Sequence, residues 1–286
     1  MSSVPKVWFI TGSSSGFGLA STELALQRGD KVVATLRKPA VSADLVSKYP
    51  DTLLLLKLDV AQPEEVKSTF ATARERFGRI DVVLSNAGYG VISEIKGASE
   101  KNARGLFETN FWGASYVCRE AVKFFREDES TCRWQIDTGL SQCLVLHRAR
   151  DRHGIVHRNS LSKHWRKPSQ LKSPSWNIKV TIVEPGPFCT NCPTTNMVTE
   201  PIHPVYNDPV LPSMQLRNVM SNTDTAFTGD PTKLAEAIYK LVYLGDPPLR
   251  LPLHNITVET LKEKGHHLID TADTWASWSE DMYVKE

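Results

Sequence analysis

The stretch Thr11-Gly12-Ser13-Ser14-Ser15-Gly16-Phe17-Gly18 is where residue types and spacing in this 286-residue chain first point to chemistry. It follows the short apolar run Val7–Ile10 and opens a segment, Gly18–Gln27, with Leu19, Leu24 and Ala25 at helical intervals. A glycine-rich turn between a strand and a helix can hold a phosphate: glycines let the backbone turn tightly and approach the anion, and the free N–H groups and dipole of the helix start favour its charge. Further chemical groups close other apolar runs. Asp59 ends LLLLKLD, Asn86-Ala87-Gly88 ends DVVLSNAG, and Pro185-Gly186-Pro187 ends VTIVEPGP. Strand ends are where open α/β sheets bind their ligands.

The elements that must position these residues alternate in type. Lys31–Thr35, Leu53–Leu58, Asp81–Ser85 and Ile178–Val183 read as buried strands, and Val66–Phe77 and Phe107–Phe125 as helices. Asp230-Pro231 offers an N-cap followed by proline at the first helical position, with Leu234, Ile238, Leu241 and Val242 on one face, and a last helix is expected within 258–278. This predicts an α/β fold, a doubly wound parallel sheet of Rossmann type in a single domain. Residues 191–228, rich in Pro, Asn and Thr, read as a long irregular segment. A content of 34 basic against 32 acidic side chains gives no global field for nucleic acid or an anionic membrane, so a small-molecule partner is expected. The start of the chain lacks a signal-type segment and Val7–Ile10 is too short to span a bilayer, so no membrane span and a cytoplasmic protein are expected. Five scattered cysteines suit reduced thiols, and the lone pair Cys189-x-x-Cys192 is half of a zinc site, so no metal is expected.

Taken together, T-G-S-S-S-G-F-G, L-D-V, S-N-A-G, Asn110 in T-N-F-W-G, and E-P-G-P-F-C-T resemble, in order and interval, the short-chain dehydrogenase/reductases, over about 1–126 and 174–286. The resemblance implies an oxidoreductase moving a hydride between a nicotinamide nucleotide and a carbonyl or secondary alcohol. It implies that Ile10, Gly12, Ser14, Gly16, Phe17 and Gly18 line the adenosine and pyrophosphate, that Asp59 holds the adenine amino group, and that Asn86, Ala87 and Gly88 pack on the adenine ribose. Asn110 would anchor a proton-relay water, Pro185, Gly186 and Thr190 would contact the nicotinamide end, and 191–228 would form a substrate lid. Each residue alone has a plainer reading: Asp59 as a strand-end cap, Asn86–Gly88 as a turn, Asn110 as a satisfied amide within a helix. Arg37 stands just past the second strand with Lys38 beside it, and no acid occurs from Lys31 through Val41. A base there suits the 2′-phosphate of NADP(H), an acid the ribose diol of NAD(H), so NADP(H) is favoured, a plain surface arginine being the alternative. A homo-oligomer is compatible with the sequence.

In this family the proton moves through a Tyr-x-x-x-Lys pair, the lysine lowering the pKa of a phenol that is otherwise a poor acid–base, with a serine one strand earlier. This chain has no tyrosine between Tyr116 and Tyr206, and none of its seven tyrosines has lysine at the fourth position after it. Ser141 is the nearest serine to the expected strand end and is the candidate for the third role. From His147 to Lys172 there are eight Lys/Arg and four His against one acid, Asp151, and apolar periodicity stops. One permitted set of codons for Gly154–Trp165, read from the third base of the first codon, gives Tyr-Cys-Ala-Ser-Lys-Phe-Ala-Val-Glu-Ala-Leu. The recovered lysine overlaps Arg158 and Asn159, at the interval from Pro185 that the resemblance expects. The sequence thus reads as out of frame over roughly 128–173, with that stretch disordered and the frame restored before Trp176. Two products are consistent with it besides an active enzyme: a silent dinucleotide-binding protein and a poorly folded chain.

Overall fold

The computed structural model describes residues 4–127, 133–138, 178–191 and 194–284. Among them the main sheet is parallel throughout. It contains β1 (Val7–Thr11), β2 (Lys31–Leu36), β3 (Leu53–Lys57), β4 (Val82–Ser85), β6 (Arg133–Thr138), β7 (Ile178–Pro185) and β9 (Arg250–Leu253), in the order β3-β2-β1-β4-β6-β7-β9. The order runs outward in both directions from β1 and β4, so a crevice opens at their carboxyl ends. Phe9 is level with Val33 on one side and with Val83 on the other.

Successive residues of β1 point to opposite faces, and each face has its own core. Trp8 and Ile10 pack with Phe17 and Ala25 of α1 (Gly16–Gln27) and with Leu234 and Ile238 of α8 (Pro231–Leu241). Phe9 packs with Val66 and Phe70 of α3 (Pro63–Phe77) and with Val117, Ala121 and Phe124 of α5 (Ala114–Glu127). Helices on both faces explain why the strands read as unbroken apolar runs. The Trp8 indole, only 1% exposed, donates from Nε1 to Asp30 Oδ2 at 2.9 Å, and the Lys6 N–H donates to Asp30 Oδ1 at 2.8 Å, so the buried polar groups there are paired. α3 carries its own boundary signals: Pro63 at the first position, Glu64 and Glu65 in the first turn, Arg74 and Arg76 in the last, and Gly78 closing it at φ +73°.

α2 (Ala43–Lys48) sits between β2 and β3. The helix expected over 107–125 begins earlier, as α4 (Glu100–Phe107), and passes through a π turn at Glu108–Gly113 before continuing as α5. Gly113 is required there, because a Cβ would stand 2.7 Å from Val60 Cγ2. Strand β6 lies within the stretch expected to be out of frame. All six of its residues pair with β7, four of them, Trp134 to Asp137, also pair with β4, and Ile136 is fully buried, so the sheet is continuous there. Residues 191–228 are also more regular than their composition suggests. They hold β8 (Met197–Thr199), a 3-10 turn at Pro204–Tyr206, α6 (Pro212–Ser221) and the short α7 (Thr223–Ala226). β8 pairs in parallel with β5 (Gly90–Ile92), and α9 (Asn255–Trp275), none of whose residues is fully buried, follows β9. No helix among the described residues is long and apolar enough to cross a membrane.

Candidate nucleotide-binding cleft

The glycine-rich turn is held by the ends of β1 and β4. Thr11, 1% exposed, accepts at Oγ1 from the N–H groups of Asn86 at 2.9 Å and Ala87 at 3.0 Å. The Asn86 amide answers from the other side, Nδ2 donating to the carbonyls of Thr11 at 2.9 Å and Gly12 at 3.2 Å. Ile10 is fully buried, and its carbonyl accepts from the hydroxyls of Ser13 and Thr35, each at 3.1 Å. Two glycines are then dictated by space. Gly12 has φ +69°, and a Cβ would lie 2.9 Å from Ala87 Cα; at Gly18 it would lie 2.3 Å from the Gly12 carbonyl oxygen and 2.6 Å from Asn86 Nδ2.

The cleft above this turn brings together Gly12, Ser14, Gly16, Phe17, Arg37, Asp59, Asn86, Ala87, Gly88 and Thr190, all expected from sequence. Their neighbours Ser15, Leu36, Leu58, Val60, Tyr89 and Thr109 join them, with Asn191 and Asn196 from the far side. Ile10 and Gly18 lie one layer beneath and shape the turn rather than line it. Pro185 and Gly186 also stand outside the lining. Gly186 faces the start of α9, where a Cβ would be 2.6 Å from His254 Cβ. Ser141 falls outside the described residues, as does the remainder of the stretch from 139 to 173.

The floor of the cleft suits an anion. Ser15, at the cap of α1, makes no side-chain cap bond, and no acid stands in the first turn, so the positive end of the helix is left to whatever enters. Leu36, Leu58 and Val60, all nearly buried, make an apolar slot beside Asp59, whose Oδ1 accepts from the Ala61 N–H at 3.0 Å. Arg37 is exposed at the rim. Its positive charge reaches Tyr89, whose phenol is nonetheless pushed above its ordinary pKa by burial, the stronger influence.

Asn110 is 3% exposed and lies inside the π turn. Its amide is paired with the backbone of Tyr89: Oδ1 accepts from the N–H at 3.1 Å and Nδ2 donates to the carbonyl at 2.8 Å. Single π turns inside α-helices concentrate at functional sites, because the extra residue redirects a side chain.

The wall formed by 194–221 is fastened to the loop after β5. Arg217 and Glu94 make a two-point ion pair, Nε to Oε1 at 2.9 Å and Nη2 to Oε2 at 3.1 Å, with side chains 9% and 3% exposed. Burial alone would raise the Glu94 carboxyl, but the hydrogen bonds and charge of Arg217, with backbone N–H groups, outweigh it and hold the pKa below the ordinary range. Arg217 Nη1 also donates to the Glu200 carbonyl at 2.9 Å, and the Glu200 carboxylate accepts from the Ser99 N–H at 3.1 Å and from Asn102 Nδ2 at 2.8 Å, at the start of α4. Partners 123 residues apart leave no local signal, which is why sequence reasoning did not find this pair.

Comparison with known proteins agrees with the geometry. Residues 6–131 match the family model described as short chain dehydrogenase. An uncharacterized oxidoreductase of Schizosaccharomyces pombe is 32% identical over 269 residues, spanning 92% of this chain and 87% of that protein. A solved short-chain dehydrogenase from Streptomyces avermitilis superposes with a TM-score of 0.81 at 28% identity, covering 99% of this chain and 100% of that one. A short chain dehydrogenase/reductase of Burkholderia phymatum, solved with NAD, superposes at 0.73 with 17% identity, over 93% of this chain and 95% of that one, a likeness of fold. An alignment that runs nearly end to end, on a sheet whose first turn keeps both of its sterically required glycines, makes this chain a member of the short-chain dehydrogenase/reductase family of oxidoreductases.

Proposed function

We propose that the chain binds NADP(H) in this cleft and belongs to a reductase or dehydrogenase of carbonyl compounds or secondary alcohols. The observation that carries the reading is the convergence of an uncapped helix start, an apolar slot and an exposed arginine in one crevice at the carboxyl ends of β1 to β4. The first turn of α1 and Ser14 would hold the pyrophosphate, Leu36, Leu58 and Val60 the adenine, and Arg37 the 2′-phosphate. Such a nucleotide supplies or accepts the hydride. The chain's own part is to orient it: Asn86 fixes the floor, Asn110 fixes the backbone at Tyr89, and Thr190 closes over Gly16, where a Cβ would lie 3.4 Å from Thr190 Cβ. Residues 191–228 act as the substrate wall.

A second reading rests on a specific observation. None of the seven tyrosines has lysine at the fourth position after it, so this chain carries the nucleotide site without the family's proton donor. It would then bind dinucleotide and remain silent. Titrating the purified chain with NADPH and NADH, and assaying carbonyl reduction on the same preparation, separates the two. NADPH binding with turnover supports the enzyme; NADPH binding without turnover supports the silent binder. Failure to bind either nucleotide removes both. Sequencing the transcript across 128–173 tests the frame directly.

A further inference from the structure

The buried pair of Arg217 and Glu94 has no part in the chemistry proposed above, yet taking two charges out of water is costly and is offset only by good geometry. Arg217 and Met220 are the buried residues of α6, and the Arg217 guanidinium engages two separate segments at once. Two of its nitrogens hold the Glu94 carboxylate, in the loop after β5, and the third donates to the Glu200 carbonyl, just past the end of β8. A planar fork of donors can do this and an ammonium cannot. Holding α6 alone needs one partner. The second partner, Glu200, carries the link onward.

One branch runs through the start of α4. The Glu200 carboxylate accepts from the N–H and the hydroxyl of Ser99 and from Asn102 Nδ2, and the Ser99 hydroxyl accepts from the Asn102 N–H as the N-cap of α4. The other branch runs through β5. The Glu200 N–H donates to the Ile92 carbonyl at 3.0 Å and the Gly90 N–H to the Asn196 carbonyl at 3.0 Å, so the β8 segment grips β5 at both ends. Gly90 is next in the chain to Tyr89, and at Tyr89 the two branches meet. Asn110, in the π turn that continues α4, pairs with the Tyr89 N–H and carbonyl. A Cβ at Gly105 would stand 2.9 Å from the Tyr89 hydroxyl, so the ring also lies against α4. The links close a ring from Glu200 through Ser99, α4, Asn110, Tyr89 and β5 back to Glu200, and Arg217 fastens α6 to it.

We propose that Arg217 is a positioning residue of the cleft: it sets 194–221, on the reading of that segment as the substrate wall, in register with Tyr89 and Asn110, so that wall and Asn110 shift as one body. A ligand that displaces the wall then displaces Asn110, and the reverse. The test is amide hydrogen exchange by mass spectrometry on the full chain without ligand. Arg217→Lys keeps a buried cation beside Glu94 but cannot hold Glu94 and the Glu200 carbonyl together. Exchange should rise about 10-fold or more, the worth of a hydrogen bond to a charged group, in 194–221 and also in 89–92 and 99–113, with 7–18 unchanged. The double variant Ser99→Ala with Asn102→Ala, both half-buried, approaches the ring from α4 and leaves no buried charge behind. It should speed exchange in 194–221 as well as in α4, and it decides the matter if Arg217→Lys fails to fold. A rise confined to the segment altered, a rise shared equally by 7–18, or no rise would each overturn the proposal. Saturating NADPH on the unaltered chain tests the wall separately: no protection within 194–200 removes that segment from the cleft and leaves the clamp, which the pattern without ligand alone decides.

Discussion

Replacing Thr11 by valine keeps the β-branched shape in β1 and deletes one oxygen. That oxygen accepts two N–H groups, Asn86 at 2.9 Å and Ala87 at 3.0 Å, at a site 1% exposed. Water cannot take its place. A buried donor left without a partner costs about 1–3 kcal/mol, with the lower end fitting the half-buried Ala87, so the variant should lose roughly 2–4 kcal/mol of stability. Against a total of about 5–15 kcal/mol this is a large fraction, and for a domain of this size it corresponds to a fall of roughly 5–15 °C in Tm. Thr11→Ser retains the acceptor and should recover most of the loss. Urea unfolding followed by circular dichroism measures all three chains. Because the same oxygen fastens the glycine turn to the end of β4, nucleotide affinity should fall along with stability in Thr11→Val and return in Thr11→Ser. A Thr11→Val chain within about 0.5 kcal/mol of the parent would show that the two N–H groups find other partners, and the account of how the turn is held would be wrong.

Other consequences are open to similar measurement. Gly18→Ala forces a methyl to 2.3 Å from the Gly12 carbonyl oxygen, so nucleotide binding by calorimetry should be lost and stability reduced by about 1–3 kcal/mol. On the NADP(H) reading, Arg37→Glu should weaken NADPH binding by roughly 10- to 100-fold, the worth of a charge-assisted hydrogen bond, while NADH affinity is kept or improved. Glu94→Gln leaves the Arg217 guanidinium buried without its counter-charge and should cost about 3–5 kcal/mol at neutral pH. Since the folded chain holds the Glu94 carboxyl below its ordinary pKa, its contribution is full above the ordinary carboxylate range and fades as pH falls through the depressed value. The gap between parent and Glu94→Gln in pH-scanned urea unfolding should therefore narrow on acidification, and a gap that widens in acid would reverse the assigned sign.

The sheet was legible where apolar runs are long and closed by polar or glycine residues, as at β1 and β4, and so was much of the cleft lining, because Gly12, Asp59 and Asn86 sit at the ends of such runs, while Thr190 came only through the family resemblance. The strands that went unread have weak local patterns. β9 is four residues with Pro252 inside it, tolerable because β9 is an edge strand. β5 and β8 are three residues each and exist through pairing with one another. β6 interleaves Arg133, Gln135 and Asp137 with apolar residues in a stretch whose charge pattern obscures it, and only its neighbours β4 and β7 define it as a strand. The site residues missed fall into two kinds. Leu58, Val60 and Tyr89 adjoin residues already identified and needed only the local geometry, whereas Asn196, Glu94 and Arg217 are brought in by tertiary folding. The π turn around Asn110 went unread as well, and Gly113, needed where the turn passes Val60, is the residue type that marks it.

The place of β6 has a consequence for how this chain can vary. Asp137 is level with Ser85, and Thr138 with Val183, so the backbone departs from β6 at the mouth of the crevice, between Asn86 and Pro185. The turn proposed to seat the phosphates, residues 11–18, lies upstream of β6 and is braced by Thr11 and Asn86. On the proposed reading, a shift of frame downstream of β6 leaves that turn as it is, so nucleotide binding kept while turnover is lost is the outcome expected of such a lesion.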